Sequence, residues 1–239
     1  MIIHSVESLA ALDGDGIRYA VYLTGCPLRC VYCHNPDTWI RAGKDFSAEE
    51  LFKKIKRYKP YFGENGGVTF SGGEPLLSAD FINEINEYLV KENINYVLDT
   101  SGCVDLTDSV KKAIDNSSCV ILDIKFYNDE TYLKYTGKDM SKTMRFYNYL
   151  VETNKPCWLR TVIVPGINDT KEDIDKYCEA IKLSSNVKKW ELLAFHDMGF
   201  FKYEKLNITN PLKNTSPLNE EKLKILQDYL NKSINNIIE

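Results

Sequence analysis

Six times along this 239-residue chain, a short run of β-branched, aromatic and aliphatic residues gives way to a longer stretch with helical periodicity. The strand-like runs fall at Ile17–Leu23, Gly67–Phe70, Ile94–Leu98, Cys119–Ile124, Cys157–Val164 and Lys189–Phe195. Helices are expected at Ser47–Tyr58, Ala79–Lys91, Leu106–Ile114, Asp129–Tyr135, Ser141–Thr153 and Lys171–Leu183, with a closing helix over about 219–234. Ser47 followed three residues later by Glu50 reads as a capping box. Strands separated by helices cannot pair as hairpins, so they join in parallel through helical crossovers. The apolar run CVILDI at 119–124 suits a strand buried on both faces. The pattern predicts an α/β fold with a parallel sheet, curled like a barrel or doubly wound. No linker, exact repeat or low-complexity tract interrupts it, so residues 1–239 are expected to form a single domain.

Unusual polar residues follow every strand. The first leads to Cys26, Cys30 and Cys33, the second to Gly72, Gly73 and Glu74, and the third ends in Asp99-Thr100. The fourth ends in Asp123 and Lys125, the fifth carries Arg160 and ends in Pro165-Gly166, and the sixth ends at His196. In parallel α/β folds ligands bind beyond the carboxyl ends of the strands, which would bring these residues to one site. Each has an ordinary alternative: a turn for the glycines, a helix cap for Asp99, a solvated strand end for Lys125, a surface charge for Arg160 and a core histidine for His196. Two glycines let a ligand approach the backbone closely, and Glu74 beside them would be placed to bind an ammonium or a hydroxyl. Asp99 and Asp123 at neighbouring strand ends would repel each other unless Lys125 or a bound cation lay between them.

Residues 25–39, GCPLRCVYCHNPDTW, hold three of the seven cysteines at spacing C-x3-C-x2-C. Thiolates crowded into eight residues suit an iron–sulfur cluster, each reaching a different iron. Three local ligands on a four-iron core leave one iron open to bind and reduce a substrate. A zinc site usually takes two separated ligand pairs, and no second C-x2-C occurs; His34 as a fourth zinc ligand is adjacent to Cys33, which makes a tetrahedron awkward to close. The other four cysteines are scattered singly, as in a reduced cytoplasm rather than a disulfide framework.

Apolar residues at 44% and charged residues at 27% describe a globular chain able to bury a core. A net charge of −4 argues against a nucleic-acid partner held by phosphate contacts. No apolar run approaches a membrane span, and the N-terminus lacks the pattern of a signal peptide. The basic run KKIKRYK at 53–59 reads as a solvated helix face.

The C-x3-C-x2-C motif with Tyr32 before its last cysteine, followed one strand later by GGE, resembles the radical S-adenosylmethionine enzymes. IHSVES (3–8), GIR (16–18), GCPLRCVYCHNPDTW (25–39), VTFSGGEPLL (68–77), LDTSG (98–102), LDIK (122–125), LRTVIVPG (159–166) and LLAFH (192–196) together resemble the family of pyruvate formate-lyase activases, in order from Ile3 to about Leu206. Many activases of other glycyl-radical enzymes insert a ferredoxin-like module between the cluster loop and GGE. Here 38 residues without a cysteine separate Cys33 from Gly72.

The resemblance implies a partial (β/α)6 barrel of parallel strands with outer helices. It implies a 4Fe–4S cluster on Cys26, Cys30 and Cys33, whose open iron chelates S-adenosylmethionine. An electron from flavodoxin or ferredoxin would cleave the sulfonium, and the resulting 5′-deoxyadenosyl radical would take a hydrogen atom from a backbone glycine of pyruvate formate-lyase. By the same resemblance Tyr32, Cys33, His34, Gly73, Asp123, Ile124, Lys125 and His196 would contact S-adenosylmethionine, with Glu74 and Arg160 as further candidates. Asp99, Thr100, Asp123 and the Ile121 carbonyl would bind sodium or potassium. Residues 13–18 read DGDGIR where the family usually has DGPGIR. The family places this loop, Asp13, Gly14, Asp15 and Gly16, near the glycine-bearing peptide, so Asp15 bears on partner choice rather than on the radical chemistry. The expected protein is a cytoplasmic monomer. The alternatives are an activase of a different glycyl-radical enzyme and a non-catalytic iron–sulfur or zinc protein.

Overall fold

The chain enters its sheet through a strand that the sequence pattern does not announce. In the computed structural model, which describes residues 1–238, β1 (Ile2–Ala10) pairs antiparallel with β2 (Arg18–Leu23). Ser5–Leu9 of β1 are all exposed, so no alternation of buried and exposed residues marks it as a strand. The two-residue β3 (Lys44–Asp45) adds to the outer side of β1. Next comes α1 (Ala48–Lys56), whose start has the expected capping box between Ser47 and Glu50, a device worth about 1 kcal/mol.

The remainder alternates as predicted. The strands are β4 (Gly67–Gly72), β5 (Asn95–Thr100), β6 (Cys119–Asp123), β7 (Cys157–Ile163) and β8 (Val187–Ala194). Between them run α2 (Ala79–Leu89), α3 (Asp108–Asn116), α4 (Asp129–Thr136), α5 (Ser141–Glu152) and α6 (Lys171–Ala180). A short α7 (Phe200–Lys205), absent from the sequence expectation, and the closing α8 (Glu220–Ile238) complete the order. Thr107 caps α3.

The sheet order is β3-β1-β2-β4-β5-β6-β7-β8, and every joint from β2 to β8 is parallel. Its edges are β3 and β8, so the six parallel strands form an open, partial barrel.

Alternation along the strands sorts their residues onto two faces. Val21, Phe70, Leu98, Leu122 and Leu159 join Leu51, Ile82, Ile114, Phe146 and Ile174 of the helices in the main core. Each such side chain contributes about 1.5–3 kcal/mol through burial. The inner face is different in kind. At its lower end Val97, Ile121 and Trp158 form a small apolar cluster, with the Lys189 ammonium 3.9 Å from the Trp158 ring centroid. Above it come Ser71, Asp99, Asp123 and Arg160, so this face grows polar toward the carboxyl ends of the strands.

The buried Arg18 links strands at the amino-terminal end. It donates to Thr69 Oγ1, Asn95 Oδ1 and the carbonyls of Asp15, Asn65 and Val68 at 2.7–3.1 Å.

Candidate active site

The loop after β2 is held from three directions. Its start is pinned by Gly25 N–H donating to Thr38 O at 2.7 Å and by Glu74 N–H donating to Gly25 O at 2.7 Å. A Cβ on Gly73 would meet Gly25 O at 2.2 Å, so the glycine lets the strand end and the loop touch. Its middle pairs with the end of α4, through Arg29 N–H to Thr136 O at 2.7 Å and Val31 N–H to Tyr135 O at 3.0 Å. Its end is covered by α7, where Tyr203 Oη donates to Cys33 O at 3.0 Å and Lys202 reaches Asn35 and Asp37. Leu28, Cys30 and Tyr32 pack with Phe126, Tyr132, Phe195 and Leu212 in a core of their own.

Cys26, Cys30 and Cys33 line one cavity of about 230 Å³ at the carboxyl ends of the strands. With them lie Tyr32, His34, Gly72, Gly73, Asp99, Thr100, Asp123, Lys125 and Arg160, gathered from five strand ends. The three thiols are free. Burial pushes the Cys26 thiol up to about 12 and the Cys30 and Cys33 thiols upward as well. The Leu28 amide on Cys26, and the Asn35 amide and Trp39 indole on Cys33, partly oppose that.

Among the described residues, no three His, Cys, Asp or Glu side chains converge where one ion could sit. The donor set itself, three soft sulfurs on one cavity wall, each able to take a different iron, fits a multi-iron cluster. A buried Tyr32 hydroxyl and a buried His196 Nδ1 without hydrogen-bond partners add unfilled polar groups around it.

The acidic wall is compensated from within the protein. Asp99 accepts from Ser71 Oγ at 2.7 Å, and burial followed by the nearby Asp123 charge pushes its carboxyl up to about 6. Lys125 pairs with Asp123. Burial is the largest influence and works against the Lys125 charge, but Asp123, Tyr32 and Cys30 together outweigh it and hold the ammonium protonated. Burial likewise opposes the Arg160 charge, which Asp99, Asp123 and Glu191 more than restore. His34 and His196 stack with ring centroids 3.7 Å apart, and burial lowers both, His34 to about 4.

Several expected residues sit elsewhere. Glu74 does not line the cavity and is fully buried. Its carboxylate accepts from Leu76 N–H (3.1 Å), Thr100 Oγ1 (2.6 Å), Ser101 N–H (3.0 Å) and Ser101 Oγ (2.5 Å). The expectation that it binds an ammonium or hydroxyl of a ligand is corrected: its acceptor sites brace the strand end. Ile124 points into the helix-side core, its N–H donating to Arg160 O and its carbonyl accepting from Thr161 Oγ1. Ile121 lies opposite Asp99 in the β5–β6 register, with its side chain in the floor cluster. His196 is placed behind His34 rather than on the cavity wall.

The 13–16 loop runs from the inner face to the strand starts. Arg160 donates to Leu12 O and Thr69 Oγ1 to Asp13 O, whereas Gly14 is buried, Asp15 is exposed and Gly16 packs against the Gly66 backbone. Ser71, Trp39, Lys202 and Tyr203 are site residues that the sequence reading missed. Ser71 and Trp39 sat within motifs already singled out, but Lys202 and Tyr203 lie in a stretch without a recognisable pattern.

A family model for the radical SAM superfamily matches residues 21–180. The chain belongs to this superfamily. It is 44% identical over 230 residues to the pyruvate formate-lyase-activating enzyme of Clostridium pasteurianum, covering 95% of this chain and 96% of that one. It is 39% identical over 237 residues to the enzyme of that name from Staphylococcus epidermidis, covering 96% and 94%. Streptococcus suis SuiB, crystallised with S-adenosylmethionine, shares the fold at TM-score 0.69 and 15% identity, over 91% of this chain and 47% of that one. Membership in the superfamily carries a 4Fe–4S cluster and S-adenosylmethionine with it, in agreement with the sulfur-lined cavity.

Proposed function

We propose that the chain activates pyruvate formate-lyase by removing a hydrogen atom from a backbone glycine of that enzyme. The observation that carries this reading is the meeting of Cys26, Cys30 and Cys33 with Gly73, Asp99, Asp123, Lys125 and Arg160 on one cavity. In it, the three cysteines hold the cluster, their buried thiols giving up protons as they bind iron. Tyr32, His34, Gly73, Asp123 and Lys125, with Arg160, form the binding surface for S-adenosylmethionine, and His196 supports it from behind His34. Bound together, cluster and S-adenosylmethionine supply the reductive sulfonium cleavage and the hydrogen-atom abstraction.

The chain's own residues orient and shield. Gly73 removes a side chain where the strand end meets the cluster loop. His34, neutral at pH 7 because burial lowers it to about 4, places no second positive charge beside a sulfonium. Lys125 fixes Asp123, and Ser71 fixes Asp99.

Finer parts of the reading follow from the same site. Asp99, Thr100, Asp123 and the Ile121 carbonyl bind sodium or potassium, supported by two carboxylates at adjacent strand ends. Flavodoxin or ferredoxin supplies the electron. The protein works as a single-domain monomer in the cytoplasm; the described residues contain no helix long and apolar enough to cross a membrane. A different glycyl-radical partner is the second reading, favoured by the exposed Asp15 where the family usually carries proline.

The test is anaerobic reconstitution with iron and sulfide, reduction, and addition of S-adenosylmethionine and pyruvate formate-lyase under electron paramagnetic resonance. A glycyl doublet is expected. Cleavage to 5′-deoxyadenosine without the doublet would reject this partner, and no cluster would reject the whole reading.

A further inference from the structure

The 11–16 loop is joined to the barrel through its carbonyl oxygens rather than through packed side chains. Of residues 11–16 only Gly14 is buried, and Leu12 is 82% exposed. Among the described residues, no backbone–backbone hydrogen bond anchors the segment. Thr69 Oγ1 donates to Asp13 O at 2.6 Å and Arg18 Nη1 to Asp15 O at 2.9 Å, both near the amino-terminal end of the barrel. The third attachment is Arg160 Nη2 donating to Leu12 O. A segment with so few buried apolar contacts opens locally at low cost once such bonds let go.

Arg160 differs from the other two donors because it also lines the cysteine cavity. A guanidinium offers five N–H donors in one rigid plane. Its Nε donates to Glu191 Oε2 at 3.0 Å and its Nη2 to Leu12 O, so Glu191 and the loop share one edge of that plane. Lys189 Nζ, 3.3 Å from Glu191 Oε1, holds the second oxygen of the same carboxylate. Among the described residues Arg160 Nη1 makes no hydrogen bond, which leaves it for an anion in the cavity. One side chain therefore touches both the cavity and the loop, and its orientation is set from β8.

We propose that Glu191 is a positioning residue for Arg160, and that Arg160, held by it, couples the cavity to the 11–16 loop. An anion on Nη1 fixes the guanidinium and so strengthens its hold on Leu12 O; a docked loop in turn orients the guanidinium for that anion. The proposal rests on the reading that S-adenosylmethionine, which supplies the anion as its carboxylate, binds in this cavity. Such coupling is reciprocal. A partner segment that presses the loop against the barrel tightens S-adenosylmethionine, and S-adenosylmethionine sets the loop for the partner.

The test uses the reconstituted protein with its cluster oxidised, so that S-adenosylmethionine binds without being cleaved. Affinity is measured by equilibrium dialysis, and loop opening by the rate at which an endoproteinase specific for acidic residues cuts after Asp13 and Asp15, with the cuts identified by mass. In the wild-type protein, saturating S-adenosylmethionine is expected to slow these cuts about fivefold. Glu191→Ala should weaken S-adenosylmethionine about fivefold and, even at saturation, leave less than about twofold protection of the loop. Its thermal midpoint reports any general loss of structure separately. Glu191→Gln, which keeps the shape and one acceptor oxygen, should fall between the two and serves where Glu191→Ala does not fold. Full protection of the loop in both Glu191 variants at saturating S-adenosylmethionine would overturn the proposal, as would a wild-type loop cut equally fast with and without it. Failure of the wild-type protein to bind S-adenosylmethionine at all would instead overturn the cavity reading beneath it.

Discussion

Tyr203 and Cys33 lie 170 residues apart in sequence, yet the tyrosine hydroxyl donates to the cysteine carbonyl at 3.0 Å. The contact ties α7 to the end of the cysteine loop. A net hydrogen bond of about 1 kcal/mol corresponds to about a fivefold change in the opening of that loop. Tyr203→Phe should therefore lose its iron to a chelator about fivefold faster, with unchanged circular dichroism. An unaltered chelation rate would show that the loop closes without this contact.

Glu74 receives four donors and does not line the cysteine-lined cavity. In Glu74→Gln the amide nitrogen would face at least one N–H or O–H donor. The cost is about 1–3 kcal/mol of unfolding free energy, measurable by urea denaturation. Affinity for S-adenosylmethionine in the folded variant should remain within about twofold, because the loss falls on the scaffold. A large affinity loss at unchanged stability would restore Glu74 as a ligand contact.

Replacing Arg18 by methionine keeps much of the volume but strands two side-chain acceptors, Thr69 Oγ1 and Asn95 Oδ1, and three carbonyls. Burial already lowers Arg18 to about 10, a measure of how little water reaches it. The variant should lose about 3 kcal/mol or more. Its thermal midpoint reports this directly, and a midpoint within a degree of wild type would contradict the assigned role.

At the surface, Glu92 bridges Lys56 and Lys59, and those hydrogen bonds hold its carboxyl below the usual value. The folded state therefore binds the Glu92 proton less readily than the unfolded state. The resulting stabilisation is present above the unfolded pKa near 4.5 and is lost as pH falls through the lower folded value. Glu92→Gln should melt below wild type at pH 7, with the difference closing as the solution is acidified past that window. Salt should also shrink it.

The six parallel strands were legible because each is a compact apolar run buried on the helix side, and their ends shifted by only one to two residues on folding. β1 was not legible, since Ser5–Leu9 face solvent and only pairing with β2 makes the segment a strand. The convergence of Cys26, Gly73, Asp123 and Arg160 followed from strand polarity alone. Glu74 was misread for a physical reason: the sequence displays a carboxylate beside two glycines, but not the Thr100 and Ser101 donors that fold in from the next strand. Tyr203 was invisible because a six-residue helix carries too few turns to establish a period.

The cysteine loop is finished by residues that come much later, Tyr135 and Thr136 at its middle and Tyr203 at its end. During synthesis the three thiols therefore leave the ribosome long before the segments that clamp them. Metal loading is then an event for a nearly complete chain, and a nascent or truncated polypeptide would expose its sulfurs to the first oxidant it met.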